Sequence, residues 1–281
     1  MQNKIANTFI DYINKNQLTQ TNYSEELNSI SYVTFFNDIT STILGTPLYT
    51  HKKCPSTVSP ITYIAESAKE MFISDIDILT INSMYYGVIT RLEFNYENYS
   101  ELLDNLFELR KIMKKRVFED TSYDVNLVQS LIKLYLNLVY GMIDNAQSIL
   151  TSANAAPRAY IVENSKKAIL SITAFLINRG IPIYYIDTDE IHCGNIPQEQ
   201  YIELQEYYDT ITNEYIDTSS ATLSKNSDGF TQGYYKAKKQ FILSEKTRMH
   251  GLKEVNASNV KFDNKKYFGS TFPDQFPEYA I

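Results

Sequence analysis

Hydrophobic residues recur at the spacing of an amphipathic helix in five stretches of the chain. These stretches are residues 1–20, Tyr99 to about Val117, Val125 to about Ile143, a long segment that follows Pro157, and residues 199–216. A polar turn near residues 119–122 separates the second stretch from the third. Gly180 follows the fourth stretch as a C-cap glycine. The pattern therefore predicts five helices.

Other stretches are rich in β-branched and aromatic residues and predict strands. They are Ile30–Phe36, residues 84–95, a strand–turn–strand at 183–195, and residues 233–243. Residues 46–62 contain three prolines, so they are predicted to be irregular, and residues 218–232 are predicted to be a loop. Helices and strands occur in mixed order, which indicates an α+β fold.

Composition excludes several classes of protein. The 281 residues are 43% hydrophobic and 21% charged, which is typical of a globular chain and not of a disordered one. The sequence contains no apolar run of about 18 residues, so no membrane-spanning helix is expected. Two cysteines cannot form a disulfide scaffold, and the first residues lack the features of a targeting signal, so we expect a protein that is not secreted.

Charge is distributed unevenly along a chain whose formal net charge is -7. No Lys or Arg occurs between residues 180 and 223, where nine acidic residues lie. Residues 236–253 instead hold six basic residues and a single acidic one, and a second basic cluster lies at 110–116. Such a chain is suited to hold cations in one place and phosphates in others. The alternative is solvated surface in both places.

Two aspartates, Asp187 and Asp189, interrupt the apolar run that begins at Tyr184. In a strand they point to the same face, and in a two-residue hairpin they sit side by side at its tip. Burying two unpaired carboxylates is costly, and a divalent cation such as Mg²⁺ is the usual partner for hard oxygen ligands. The alternative is an Asx-rich surface turn. His51, Cys54, His192 and Cys193 do not have a usual zinc-ligand spacing.

A polar stripe on one predicted helix is the second candidate. Lys133, Asn137, Tyr140 and Gly141 lie at i, i+4, i+7 and i+8, which is one helical face. This face is suited to line a cleft. A half-exposed helix that ends at Gly141 is the alternative.

Together these features resemble two motifs of the family B DNA polymerases. Lys133-x3-Asn137-x2-Tyr140-Gly141 resembles motif B, Kx3NSxYG, and Tyr185-x-Asp187-Thr188-Asp189 resembles motif C, YxDTDS. Downstream, Lys238-Lys239-Gln240-Phe241 is similar to the KxY element of that family, and His250-Gly251-Leu252 is similar to its following Lys-Gly step. The order of the elements matches the family over roughly residues 85–255.

The resemblance implies a right-hand polymerase core with an antiparallel palm sheet, two-helix fingers and a small thumb. It divides the chain into an N-terminal helical extension at 1–35, the first part of the palm at 36–98, fingers at 99–145, the second part of the palm with the DTD hairpin at 146–217, and the palm–thumb junction with the thumb at 218–281.

The resemblance also implies roles for individual residues. Asp187, Asp189 and Asp38 are the implied catalytic residues and ligands of two Mg²⁺ ions, with Mn²⁺ as a substitute. Binding of the triphosphate is assigned to Lys133, Arg110 and Lys114. The floor under the incoming nucleotide is assigned to Asn137 and Tyr140. DNA contacts are assigned to Lys238, Lys239, Phe241 and Arg248.

Some positions depart from the family patterns. The serine of motif B is Leu138, the serine of motif C is Glu190, and the tyrosine of KxY is Phe241. Each change removes a hydroxyl group, and Glu190 adds a third carboxylate beside the pair of aspartates.

Motif A, DxxSLYPS, supplies the other metal-binding aspartate in the family and has two candidates here. Asp38 follows the predicted strand Ile30–Phe36 and precedes Ser41. Residues 81–86 keep the Ser and Tyr of the motif, but Thr80 stands where the aspartate belongs. We prefer Asp38, which we expect beside the DTD hairpin. Without an aspartate there, the two-metal mechanism loses a ligand.

The implied function is that of a template-directed DNA polymerase core, which adds dNTPs to a primer 3′ end in DNA replication. The alternative is a catalytically impaired, polymerase-derived DNA-binding or accessory subunit, and a structural protein with a surface DTD turn is a further rival. The implied partners are primer–template DNA and dNTPs, with a terminal protein or a separate exonuclease-bearing chain. The protein-primed enzymes of mitochondrial linear plasmids and viruses are similar, which indicates a mitochondrial or a viral and cytoplasmic location.

Overall fold

The computed structural model describes residues 1–45, 59–94, 97–116, 123–143, 157–225, 232–237, 240–243 and 248–250. The chain forms two compact units. The helical unit comprises residues 1–57 and 92–159, and the sheet unit comprises residues 58–91 and 160–281. Residues 36–45, which fall in the segment predicted to begin the palm, lie in the helical unit.

The described residues form eight α-helices and nine strands. The helices are α1 Gln2–Lys15, α2 Tyr23–Ile30, α3 Tyr32–Leu44, α4 Met84–Ile89, α5 Glu97–Lys115, α6 Val125–Met142, α7 Pro157–Asn178 and α8 Gln198–Thr210. The strands are β1 Thr62–Ile64, β2 Phe72–Ile73, β3 Ile76–Asn82, β4 Ile183–Asp187, β5 Glu190–Gly194, β6 Thr222–Lys225, β7 Gly233–Ala237, β8 Gln240–Leu243 and β9 Arg248–His250. The predicted α+β class is confirmed.

Tyr135 of α6 is the centre of the helical unit and is fully buried. The Phe36 ring of α3 stacks on the Tyr135 ring with centroids 4.9 Å apart, and the Phe9 ring of α1 meets it edge-on. A hydrogen bond of 2.6 Å joins the hydroxyls of Thr40 and Tyr135. Three helices therefore share one aromatic contact, which holds α3 against α6.

The predicted strand at Ile30–Phe36 is wrong, because this segment ends α2 and begins α3. The buried residues of α3 follow helical spacing: Phe35, Phe36, Ile39, Thr40 and Ile43. Ser31 caps the helix by accepting a hydrogen bond from the Val33 amide. Burial of the aromatic side chains against Tyr135 outweighs their intrinsic preference for strands.

Helices α5 and α6 confirm the two long helices predicted for this part of the chain, and they run antiparallel. Tyr99 near the start of α5 lies beside Tyr135 in the second half of α6, and burial together with Tyr135 raises the pKa of Tyr99. Arg110 near the end of α5 donates from Nε to the Gln129 side chain near the start of α6, at 3.2 Å. Asp124 caps α6 by accepting from the Leu127 amide.

The sheet unit contains a five-stranded antiparallel sheet with strand order β1-β4-β5-β3-β6 and a four-stranded sheet with order β2-β7-β8-β9. Strands β4 and β5 form the predicted hairpin at 183–195. Because side chains alternate between the two faces of a strand, the five-stranded sheet has an apolar face and a mixed one. Tyr63, Leu79, Ile81, Ile186 and Ile191 are buried on the apolar face.

Two other predictions in the sheet unit are wrong, and a third, the strand at 233–243, is confirmed in part. Residues 84–95 were predicted as a strand, but they contain the short helix α4, and the strand is the preceding segment β3. The predicted loop at 218–232 contains β6, and residues 233–243 form two strands of a hairpin. Strand β3 is buried over most of its length, so it lacks the polar alternation that identifies a strand from sequence. No helix of the described ranges is both long and apolar enough to cross a membrane.

We expect Asp77→Ala to lower the free energy of unfolding by about 2–4 kcal/mol, because it leaves a largely buried cation without its partner. The Asp77 carboxylate accepts from the Ile196 amide at 2.7 Å and from Lys225 Nζ at 3.3 Å. Urea denaturation measures the change. The exposed Asp209 provides the control, since Asp209→Ala should change stability by at most about 0.5 kcal/mol. Equal effects of the two substitutions would contradict the assignment.

Candidate functional site

The DTD turn, defined as Asp187–Asp189, joins β4 to β5 at the tip of their hairpin. Asp187 and Glu190 form the last pair of the ladder, so Thr188 and Asp189 make a two-residue loop. Thr188 has a φ of 61°, which places a β-branched residue in the left-handed region. This conformation is strained and persists only when the surroundings hold it.

Backbone hydrogen bonds from both sides hold the DTD turn. The Thr188 amide donates to the Ile61 carbonyl just before β1, and the Ile81 amide in β3 donates to the Asp189 carbonyl, both at 2.9 Å. The half-buried Asp187 carboxylate accepts from the Thr188 hydroxyl at 3.2 Å and from the Tyr185 hydroxyl at 3.4 Å. Both aspartates therefore lie at the hairpin tip, on a backbone that is fixed on each side.

The register between β3 and β5 decides which side chains neighbour the turn. Thr80 pairs with Glu190, and Glu190 pairs with Asp187, so these three side chains share the mixed face of the sheet. The residues of β3 on this face are Ile76, Ile78, Thr80 and Asn82. None of them is a carboxylate, and Asp77 lies on the opposite face. The strand beside the DTD turn therefore presents the Thr80 hydroxyl at the position where the two-metal mechanism needs a carboxylate from outside the hairpin.

Asp38 lies in a helix and not at the end of a strand. Asp38 is an exposed residue of α3 in the helical unit, where burial and the Asp38 charge raise the pKa of Tyr12 to about 12. The expectation that Asp38 ends a strand is wrong, because Asp38 lies in α3, and the strand that binds the DTD turn is β3. The role of Asp38 as a metal ligand stays a prediction.

A polar network lies under the DTD turn on the mixed face. His192 Nε2 is 2.6 Å from Glu190 Oε1, and His192 Nδ1 is 2.8 Å from the Tyr235 hydroxyl of β7. The Phe241 ring packs against Tyr185 and His192 with centroids 5.2 and 5.1 Å away. Sequence reasoning missed the roles of His192 and Tyr235. The only signal was the two-residue spacing of Glu190 and His192, which puts both on one face of a strand.

Of the four residues predicted to contact DNA, two lie in the described part of the chain. Phe241 is 2% exposed and its ring belongs to the core, so its burial gives no support to the prediction that it contacts DNA. Lys238 and Lys239 lie outside the described residues. Arg248 begins β9, whose backbone pairs with β8 at Leu243.

The donor set of the DTD turn limits what it can bind. No group of three or more His, Cys, Asp or Glu side chains with a metal-binding arrangement occurs in the described part of the chain. Asp187 and Asp189 fit a single Mg²⁺ whose remaining ligands are waters or phosphate oxygens, which is how Mg²⁺ is commonly held. They do not fit a pair of ions, which needs carboxylates from two sides.

Three cations of the helical unit form what we term the cationic face: Arg110 and Lys114 of α5, and Lys133 of α6. The Arg110 charge lowers the pKa of Lys114, and partial burial and the Lys133 charge lower it further. Lys114 and Lys133 are exposed and Arg110 is half-buried. The charges of Arg110 and Lys133 therefore both repel that of Lys114, and an anion would relieve this repulsion.

The polar stripe of α6 continues from the cationic face. Asn137 is exposed and Tyr140 is half-buried, so both remain accessible. Arg158 donates from Nε to the Tyr140 hydroxyl at 3.4 Å, and its guanidinium lies 5.2 Å from the centre of the Tyr140 ring. Sequence reasoning missed Arg158, since no periodic pattern connects it with Tyr140.

Comparisons with known proteins support the fold. No family model and no curated protein matches the chain. The structure is similar to a family B DNA polymerase from the hyperthermophilic archaeon Pyrobaculum calidifontis, with a TM-score of 0.50 and 14% sequence identity. The match covers 80% of this chain and 33% of that one, so the chain spans about a third of that polymerase. At this identity the likeness shows a polymerase-like fold alone.

We expect the pKa of Lys114 to lie below that of an ordinary lysine and to rise most in Arg110→Gln, because Arg110 is the largest cause of the depression. Lys133→Ala should raise it less. Since the protonated form is the repelled one, Lys114 loses its charge at a lower pH than a solvated lysine. Titration followed by NMR of the lysine side chains measures this. An unchanged Lys114 pKa in Arg110→Gln would contradict the convergence of the cationic face.

Proposed function

We propose that this chain is a polymerase-fold protein that binds primer–template DNA and dNTPs during DNA replication, and that its own nucleotidyl transfer is impaired. The observation that carries the proposal is the register that pairs Thr80 with Glu190 and places a threonine beside the DTD turn. The likeness of the fold to a DNA polymerase supports the choice of ligands.

Nucleotide binding is supported by two features, each within one unit. The cationic face presents Arg110, Lys114 and Lys133, and the half-buried Arg110 retains its charge beside the other two. A triphosphate has the opposite charge and the size to contact several cations at once. In the sheet unit, Asp187 and Asp189 would hold a Mg²⁺ ion, which would bind phosphate oxygens of a nucleotide.

Impaired transfer follows from the donor set. Addition to a primer 3′ end requires neutralisation of both the attacking and the leaving oxygen, for which polymerases use two ions. Thr80 has no charge, and Glu190 is engaged with His192. We expect a loss of at least about 10²–10³ in rate, as for removal of one electrostatic contact in other active sites, which leaves primer extension below detection.

An active DNA polymerase is the second candidate. It is favoured by the DTD turn, whose backbone is held on both sides and whose Asp187 remains half-exposed. In that case the missing carboxylate comes from Asp38 or from a partner chain, and Mn²⁺ substitutes for Mg²⁺. A terminal protein or an exonuclease-bearing chain would then complete the replication machinery.

We expect no primer extension by the unmodified chain with Mg²⁺, and extension by Thr80→Asp, because the substitution supplies the carboxylate that β3 lacks. The measurement is incorporation of labelled dNTPs into a primer–template duplex. Thr80→Asn is the matched control, since it has the same size as aspartate but no charge. Thermal unfolding of each variant separates loss of fold from loss of chemistry.

The outcomes of this assay distinguish the two candidates. Extension by the unmodified chain that disappears in Asp189→Asn would refute the impaired function and support the active polymerase. Absence of extension by both the unmodified chain and Thr80→Asp, with DNA binding retained, would show that more than one carboxylate has been lost.

We expect Lys133→Ala to weaken dNTP binding about tenfold and to change duplex DNA binding little, because the cationic face holds a triphosphate and not the DNA backbone. Filter binding or calorimetry measures both affinities. Lys111→Ala is the control, because Lys111 is an exposed cation of α5 that pairs with Glu108. Equal losses of dNTP and DNA affinity would show that the cationic face is a general phosphate surface.

A further inference from the structure

Three buried polar side chains connect the DTD turn to β7. Glu190 is 8% exposed, and His192 and Tyr235 are fully buried. Their hydrogen bonds are 2.6 Å between Glu190 and His192 and 2.8 Å between His192 and Tyr235. The contacts connect the first residue of β5 with the middle of a strand that belongs to the other sheet of the unit.

The proton positions follow from the chemistry of the three groups. A carboxylate only accepts hydrogen bonds, so His192 Nε2 carries a proton and donates it to Glu190. Burial, followed by the negative charge of Glu190, raises the pKa of Tyr235 well above its ordinary value. Tyr235 therefore stays protonated, and its hydroxyl can donate to His192 Nδ1.

Tyr235 also supports the other aspartate of the turn. Its ring stacks on the Tyr185 ring with centroids 5.4 Å apart and an interplanar angle of 23°. The Tyr185 hydroxyl donates to the Asp187 carboxylate. Tyr235 thus contacts the two sides of the turn in different ways. Its ring acts on Asp187, and its hydroxyl acts on Glu190, the neighbour of Asp189.

Such a network is expensive to bury. Each desolvated polar group costs free energy unless it is hydrogen-bonded, and an apolar replacement of similar shape is often as stable. Stability alone would therefore be met by apolar residues at positions 190, 192 and 235 together. The network instead fixes the geometry of a strained turn, since Thr188 needs surroundings that hold it.

We propose that Tyr235 is a positioning residue that sets the orientation of both carboxylates of the DTD turn. The hydroxyl acts through His192 and Glu190 on Asp189, and the ring acts through Tyr185 on Asp187. The inference rests on the proposed function in so far as the turn binds a divalent cation. It adds a residue of the other sheet to the site.

The test measures Mn²⁺ binding to the full chain by electron paramagnetic resonance. Tyr235→Phe keeps the ring and removes the hydroxyl, and we expect it to weaken Mn²⁺ binding about fivefold, the equivalent of one net hydrogen bond. Tyr235→Leu removes both routes and should weaken binding further. Glu190→Gln combined with Tyr235→Phe should cost little more than either change alone, because both act on one route.

Tyr208→Phe is the matched control. Tyr208 is also a buried tyrosine of the sheet unit, and its hydroxyl donates to the Ala221 carbonyl. We expect it to lower the melting temperature about as much as Tyr235→Phe does and to leave Mn²⁺ affinity unchanged. Equal affinities of the two variants would overturn the positioning role.

A second measurement separates this inference from the proposed function. NMR chemical shifts of Asp187 and Asp189 report the geometry of the turn without any metal. Larger shifts in Tyr235→Phe than in Tyr208→Phe support the positioning role even if the unmodified chain binds no Mn²⁺, a result that would count against the metal site alone. Unchanged shifts at both aspartates would overturn the inference.

Discussion

The pairing of β3 with β5 is the interaction on which the candidate site depends. The ladder from Ile76 and Gly194 to Thr80 and Glu190 brings the end of β3 to the DTD turn, where the Ile81 amide binds the Asp189 carbonyl. A shift of one residue would turn Asp77 toward the mixed face and Thr80 away from it. Asp77 cannot make that change without losing Lys225 and the Ile196 amide, so the register is fixed by an ion pair on the far face.

The second sheet of the unit supports the turn from below. Tyr235 and Phe241 pack on Tyr185 and His192, which makes the mixed face a largely aromatic floor under the carboxylates. Gly233 permits this approach, because a Cβ there would lie 2.7 Å from the Tyr235 hydroxyl and 2.8 Å from Ile76 Cδ1. Phe241 needs no hydroxyl here, since its ring is buried in this core.

The helical unit contributes charge in a different way. The fold forces Arg110 and Lys114 close to Lys133, and their mutual repulsion lowers the pKa of Lys114. A carboxylate beside these cations would stabilise the helix pair, as Glu108 pairs with Lys111 elsewhere on α5. Repulsion that is retained on an accessible face is typical of a site that receives an anion.

The sequence by itself determined the long helices, since the apolar residues of α5 and α6 recur at helical spacing. It also determined the DTD hairpin, because two aspartates within an apolar run indicate a turn. It did not identify β3, because a buried strand lacks polar alternation. It also did not identify the helical state of Ile30–Phe36, whose aromatic residues fit a strand or a helix and become helical by packing against Tyr135. Only the tertiary structure showed that Thr80 pairs with Glu190 beside the DTD turn and that Asp38 lies in a helix. Strand pairing between residues more than 100 positions apart sets which side chain faces the turn, and no local pattern encodes such a contact.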